Sequence, residues 1–225
     1  MAEDQSVPPF DGFPPSAFEF YEQLAAENSR EFWNARRQVY ETAIRGPMLA
    51  LTQQLSAEFG PFKVFRPNRD VRFSKDKSPY KVSQGAVTEG EGGEFYYLHV
   101  SADGLYAASG YYQLASDQLS RFRQAVDGDA TGAELVKRVQ ALERKYTIGG
   151  RALTTAPRGY SRDHPRIRFL QHKGLIAGRD FGTPAWLSTR QAERRIAETW
   201  RGAAPLNEWL NAHVGPSQLP PDERR

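Results

Sequence analysis

The chain's reactive side chains crowd into thirteen residues, Arg69-Asp70-Val71-Arg72-Phe73-Ser74-Lys75-Asp76-Lys77-Ser78-Pro79-Tyr80-Lys81. Alternation predicts a strand over 69–73, with Asp70, Arg72 and Ser74 on one face and Arg69, Val71 and Phe73 on the other. A carboxylate beside an arginine on one face orients the guanidinium fork, and an oriented fork suits bidentate contact with phosphate or carboxylate. A polar loop closed by Pro79 then brings Lys75, Lys77 and Lys81, with Tyr80, near the strand's end. Cations gathered within one turn of chain make an anion cradle. The plainer reading of the same residues is a loop held by its own ion pairs, Arg69–Asp70 and Lys75–Asp76.

Charge along the chain supports an anionic partner. The formal net charge is only +3, yet from Lys63 to Lys81 seven basic residues face two acidic ones, Asp70 and Asp76. From Arg151 to Lys173 six basic residues face Asp163 alone. Local surplus of this kind attracts phosphates, carboxylates or acidic surfaces. Arg158, Tyr160, His164 and Lys173 complete the first site if the two segments meet. Asp163-His164-Pro165 suits equally well a helix start, with Asp163 as cap and proline in the first turn.

Other chemistries lack their parts. Ser74-x-x-Lys77 stands without the Ser-Asp-Asn and Lys-Thr-Gly elements of penicillin-recognising enzymes. Gly90-Glu91-Gly92-Gly93 has neither dinucleotide-binding nor P-loop spacing. The four histidines, His99, His164, His172 and His213, include no His-x-x-x-His pair, so no metal site is expected. With no cysteine, disulfides, thiol catalysis and cysteine-held zinc are excluded. The sequence names no cofactor and no catalytic residue.

The elements that must position these groups follow from periodicity. Residues 1–12 read as a flexible tail, 13–213 as a single domain and 214–225 as a second tail. Ser16-x-x-Glu19 is a capping box before Phe18, Tyr21 and Leu24 at helical spacing. Asn28-Ser29 restarts a helix carrying Phe32, Trp33, Tyr40 and Ile44, and Gly46-Pro47 permits a break before Met48, Leu51 and Leu55. Extended stretches are expected at Phe62–Phe65, Val82–Val87, Phe95–Val100 and Leu105–Tyr111, the last two joined by a hairpin at Ala102-Asp103-Gly104. Glu89–Glu94, with three glycines, reads as a loop or turn. Ser116 and Thr131-x-x-Glu134 open two further helices. Thr147–Pro157 is irregular or a short strand, Ser188-x-x-Gln191 opens a later helix, and Leu206, Trp209 and Leu210 mark a separate short one. Helices first, strands in the middle and helices afterwards do not alternate as βαβ units do. The expected class is α+β, a mainly antiparallel sheet packed against several helices.

The Arg69–Lys81 stretch resembles the family called domain of unknown function 2461. Asn28-Ser29-Arg30-Glu31-Phe32-Trp33 with Tyr40 and Pro47 is similar to its first-helix signature. Ser109-Gly110-Tyr111-Tyr112 leading to Arg123 is similar to its hairpin-to-helix passage, and Pro157-Arg158-Gly159-Tyr160 with Asp163-His164-Pro165 to its later motif. Leu114-Ala115 departs from the proline expected after the hairpin. The likeness spans residues 10 to 213. It implies a mixed α/β domain found mostly in bacteria, and no activity.

The expectation is therefore a binder of a phosphate-bearing or other anionic small molecule. Nucleic-acid binding, with Phe95 or Tyr97 stacking on bases, is one alternative. A non-enzymatic protein-interaction domain is another. No apolar run reaches the roughly 18–20 residues that span a bilayer, and the N-terminus lacks signal-peptide regions, so no membrane partner and a cytoplasmic location are expected.

Overall fold

The computed structural model describes residues 8–72, 74–88, 93–220 and 223–224. The inward placement expected of Phe73, and most of the Glu89–Glu94 loop, lie outside the described residues. The class is α+β, and the paired strands given by register are antiparallel.

The chain opens with α1 (Pro15–Ala26), α2 (Arg30–Val39) and α3 (Gly46–Phe59). The helix expected to restart at Asn28-Ser29 does so, and Ser29 caps α2, its Oγ accepting from the Phe32 N–H at 3.0 Å. Ser16 does not cap α1. The helix starts one residue earlier, with Pro15 in the first position, where its missing N–H is no loss. Nor does Gly46-Pro47 break the helical run. Tyr40–Arg45 forms a π-helical turn that carries α2 into α3, with the Gly46 N–H bonded to the Glu41 carbonyl. The wider turn absorbs an extra residue just ahead of a proline that has no donor to offer.

Strands β1 (Phe62–Val64), β2 (Ser83–Thr88), β3 (Glu94–Ser101) and β4 (Gly104–Tyr111) follow. Then come α4 (Ser116–Asp127), α5 (Asp129–Leu142), β5 (Thr147–Gly149), the short α6 (Ile167–Leu170), β6 (Leu175–Gly182) and α7 (Gln191–His213). The six strands are ordered β1-β2-β3-β4-β6-β5. The expected strand over 69–73 is not formed: residues 69–72 are loop, and an isolated bridge pairs Asn68 with Tyr80. The hairpin turn falls at Ala102-Asp103, and Gly104 follows with φ of 106°. A Cβ at Gly104 would lie 1.8 Å from the Gly182 carbonyl oxygen, so the close approach of β4 and β6 requires glycine there.

Two compact units make up the chain. One comprises Met1–Glu89, Tyr97–Ala107 and Asp180–Glu198. The other comprises Gly90–Tyr96, Ala108–Arg179 and Thr199–Arg225. In the first, Phe20 sits among the rings of Tyr21, Phe32, Trp33 and Tyr40, with centroids 5.4–6.0 Å away. In the second, Phe122, Leu135, Val139, Leu206 and Trp209 are buried together.

The tails are shorter than expected. Phe10 is buried, the Phe13 N–H bonds to the Leu187 carbonyl and Asp11 pairs with Arg190. At the other end Asp117, in the first turn of α4, accepts from the Ser217 hydroxyl and the Gln218 N–H at 2.8 Å each. Those bonds, with Arg121, outweigh the effect of burial and hold the Asp117 carboxyl far below the usual carboxylate range. One helix, α7, replaces the two expected, with Pro205 inside it. No helix among the described residues is long and apolar enough to cross a membrane.

Candidate functional site

The Arg69–Lys81 segment forms a loop closed at its neck. Beyond the Asn68–Tyr80 bridge, the Arg69 N–H bonds to the Pro79 carbonyl and the Lys81 N–H to the Pro67 carbonyl. Asn28 grips the same point from the start of α2. Its Nδ2 donates to the Tyr80 carbonyl at 3.0 Å and its Oδ1 accepts from the Tyr80 N–H at 3.1 Å. The Tyr80 ring is 8% exposed and lies flat on Trp33. Ends held together around a compact excursion define an Ω-type loop. Tyr80, expected among the ligand-binding residues, is its buried anchor.

Inside the loop the cations are engaged locally. Arg72 makes a bidentate pair with Asp70 at 2.9 and 2.7 Å, as the spacing suggested, although no strand orders the two. Arg69 pairs with Asp76, not with Asp70. Asp76 also accepts from the Ser78 N–H and hydroxyl, and these bonds, with Arg69, hold its carboxyl at about 2. Lys77 Nζ donates to the Val71 carbonyl and Lys81 Nζ to the Arg66 carbonyl. Lys75 is exposed. Arg69, Arg72 and Lys77 are thus held in place by the loop that carries them.

The adjoining concavity is lined by other arginines. A cleft of about 360 Å³ lies between the helical run and the loop's neck, bordered by Trp33, Arg37, Tyr40, Glu41, Arg45 and Asn68. A second, of about 470 Å³, shares Arg45 and Pro67 with it and adds Phe65 and Arg66. The π-helical turn supplies Tyr40, Glu41 and Arg45 to this surface. Arg45 pairs with Glu41 at 3.2 Å, and among the described residues neither Arg37 nor Arg66 has an ion-pair partner. Tyr40 donates its hydroxyl to Gln84 Oε1 at 2.6 Å. Burial and the neighbouring Glu41 push that hydroxyl up to about 12, with Arg45 acting the other way, so Tyr40 stays neutral. Burial and then Arg66 depress the Lys81 ammonium, which places two like charges near each other beside the cleft.

The second basic segment belongs to the other compact unit and is organised around its own backbone. His164 Nε2 meets Asp127 at 3.1 Å while its Nδ1 accepts from the Arg166 N–H at 3.0 Å, so both ring nitrogens are occupied. Arg166 donates to the carbonyls of Val126 and Asp127 and closes the C-terminus of α4. Tyr160 is half-buried, edge-on to His164, and burial with Asp127 raises its hydroxyl while Arg123 lowers it. Arg158 and Lys173 are exposed. Asp163 caps no helix, since α6 begins only at Ile167.

Arg37, Arg45 and Arg66 were not singled out from the sequence. The signal for Arg37 and Arg45 was their place in the helical run just ahead of the Gly46-Pro47 irregularity. Strand β6, with Asp180 near its end, was also missed, its alternation short and interrupted by Gly178. Among the described residues no three His, Asp or Glu side chains gather as a metal site would require.

A family described as conserved hypothetical protein (DUF2461) matches residues 16–209 of the chain. No curated protein matches it.

Proposed function

The chain belongs to that DUF2461 family, whose description carries no activity, and from the site itself we propose that the protein binds a phosphate-bearing or other anionic small molecule. The ligand's negative charge lies in the paired clefts along the π-helical turn, against Arg37, Arg45 and Arg66. One observation carries the reading: three guanidinium groups border adjoining clefts where the bordering carboxylate, Glu41, is already engaged by Arg45. Glu41 offsets Arg45 alone, and an anion placed among the three guanidinium groups accepts charge-assisted hydrogen bonds from them and offsets the remaining positive charge. The neck of the Ω-type loop, Pro67 and Asn68, borders the same space.

Calorimetric titration with inorganic phosphate, pyrophosphate and nucleoside diphosphates tests it. Pyrophosphate binds the full chain, and Arg45→Ala weakens binding by about tenfold or more, the scale of losing hydrogen bonds to a charged group. Arg72→Ala, in the self-paired loop, leaves affinity unchanged. Silence across the whole panel would count decisively against the proposal.

A further inference from the structure

A row of rings on the sheet adjoins the cleft. Register sets Gly85 opposite His99 and Val87 opposite Tyr97, so these four share a face. Gln84, Ala86, Leu98 and Val100 share the opposite face, which Tyr40 reaches from the helices. On the first face the Tyr106 ring of β4 is stacked on His99, centroids 5.3 Å apart, and lies 6.3 Å from Tyr97. Phe65 continues the row at 6.4 Å from Tyr97. All four rings are half-buried. Gly85 is the floor beneath them: a Cβ there would lie 3.1 Å from the Tyr97 hydroxyl and 3.2 Å from the Phe65 ring.

The two ends of the row carry opposite charge. Lys81 Nζ sits 5.2 Å from the Phe65 centroid and bonds to the Arg66 carbonyl. At the other end Asp180 acts on both His99 and Tyr106, and Asp103 on His99. Phe65 and Arg66 also border the larger cleft, so the cationic end of the row reaches the part of the chain that adjoins the anion site. We infer that the row of Tyr97, His99 and Tyr106 seats the planar base of a guanine nucleotide, with Asp180 at the base edge and the phosphates towards Lys81 and Arg66.

The chemistry selects that ligand by its shape and its two ends. Aromatic rings on a sheet stack a flat heterocycle whatever its sequence context. Burial keeps the His99 ring below its usual pKa despite both aspartates, so it meets the base as a neutral aromatic. A carboxylate accepts hydrogen bonds and donates none, which suits an edge presenting two adjacent N–H donors, as guanine's does, over one that mixes donor and acceptor as adenine's does. Only the phosphate end of this inference rests on the anion site proposed above.

Titrating the full chain with guanosine, GDP, ADP and pyrophosphate, followed by calorimetry and by the ring resonances of Tyr97, His99 and Tyr106, separates the two proposals. Guanosine shifts those resonances without any phosphate. GDP binds at least about tenfold more tightly than ADP, and Asp180→Asn removes the difference. Tyr97→Leu with Tyr106→Leu weakens GDP by about tenfold or more and leaves pyrophosphate unchanged, whereas the corresponding Phe pair, which keeps the rings and the fold, retains GDP binding. Pyrophosphate binding with no response to guanosine or GDP at the three rings overturns the base platform and leaves the anion cleft standing. Ring shifts with guanosine and no pyrophosphate binding do the reverse. A single-stranded guanine oligonucleotide bound far more tightly than GDP would overturn the choice of a free nucleotide.

Discussion

Tyr80 stacks on Trp33 with ring centroids 4.1 Å apart and planes within 9° of each other. That contact joins the end of the charged loop to the start of the helical run, and it explains why two motifs 47 residues apart in sequence serve one structure. The position of the loop's neck, which borders the cleft, depends on a flat aromatic pair backed by two hydrogen bonds between the Asn28 side chain and the Tyr80 backbone.

Tyr80→Ala therefore removes a buried ring and destabilises the protein by about 3–4 kcal/mol. Asn28→Ala leaves the Tyr80 backbone groups without their side-chain partner and costs about 1–3 kcal/mol. Both variants increase proteolytic cleavage within 68–80. Urea unfolding and limited proteolysis measure the two effects, and a Tyr80→Ala protein as stable as the parent contradicts the anchoring role.

Asp76 gathers Arg69 and both donors of Ser78 on one exposed carboxylate. Asp76→Ala loosens the loop tip without unfolding the domain. Amide exchange across 69–78 speeds up while the unfolding midpoint barely moves. Because the carboxyl is held at about 2, this ordering persists through mildly acid solution and is lost only as pH falls through that value.

Stability falls with pH for a different reason. Burial lowers the folded-state pKa of both His99 and His172, with Arg168 adding to the effect on His172. Below about pH 6.5, where unfolded histidine takes up a proton, the native state resists doing so, and stability drops until the folded pKa values are reached. Above that window the two states bind the same protons at these sites and the effect is absent. Unfolding free energies between pH 8 and 5 trace the fall, and His99→Phe flattens it. A His99→Phe protein with an unchanged slope would assign the pH dependence elsewhere.

In the second unit Asn207 donates to Glu94 Oε1 at 2.9 Å and to the Ser109 hydroxyl at 2.6 Å. Its Oδ1 is buried without a hydrogen-bond partner. Asn207→Asp removes both donations and sets a second carboxylate beside Glu94, destabilising the protein by about 2 kcal/mol or more. The loss shrinks at low pH as the introduced carboxyl is protonated. Asn207→Leu, which adds no charge, shows no such pH dependence. Equal behaviour of the two variants in denaturant titrations at pH 7 and pH 4.5 would refute the account.

Much of this protein was decided by local pattern. The class, the helical start, the Ser29 cap, the hairpin at Ala102-Asp103 and the Asp70–Arg72 pair depend on neighbours within a few residues, so spacing alone determines them. The expected strand at 69–73 failed because alternation of side chains is not enough. A strand needs a partner edge, and the Tyr80–Trp33 anchor draws this segment away from one. Tertiary structure alone decided which cations are self-paired and which border open space. Arg69 takes Asp76 seven residues on, while Arg37, Arg45 and Arg66 meet only when the helical run folds beside the loop's neck. Electrostatic partnership falls off with distance in space and is blind to distance in sequence, so charge counts marked the region and only the fold chose the residues.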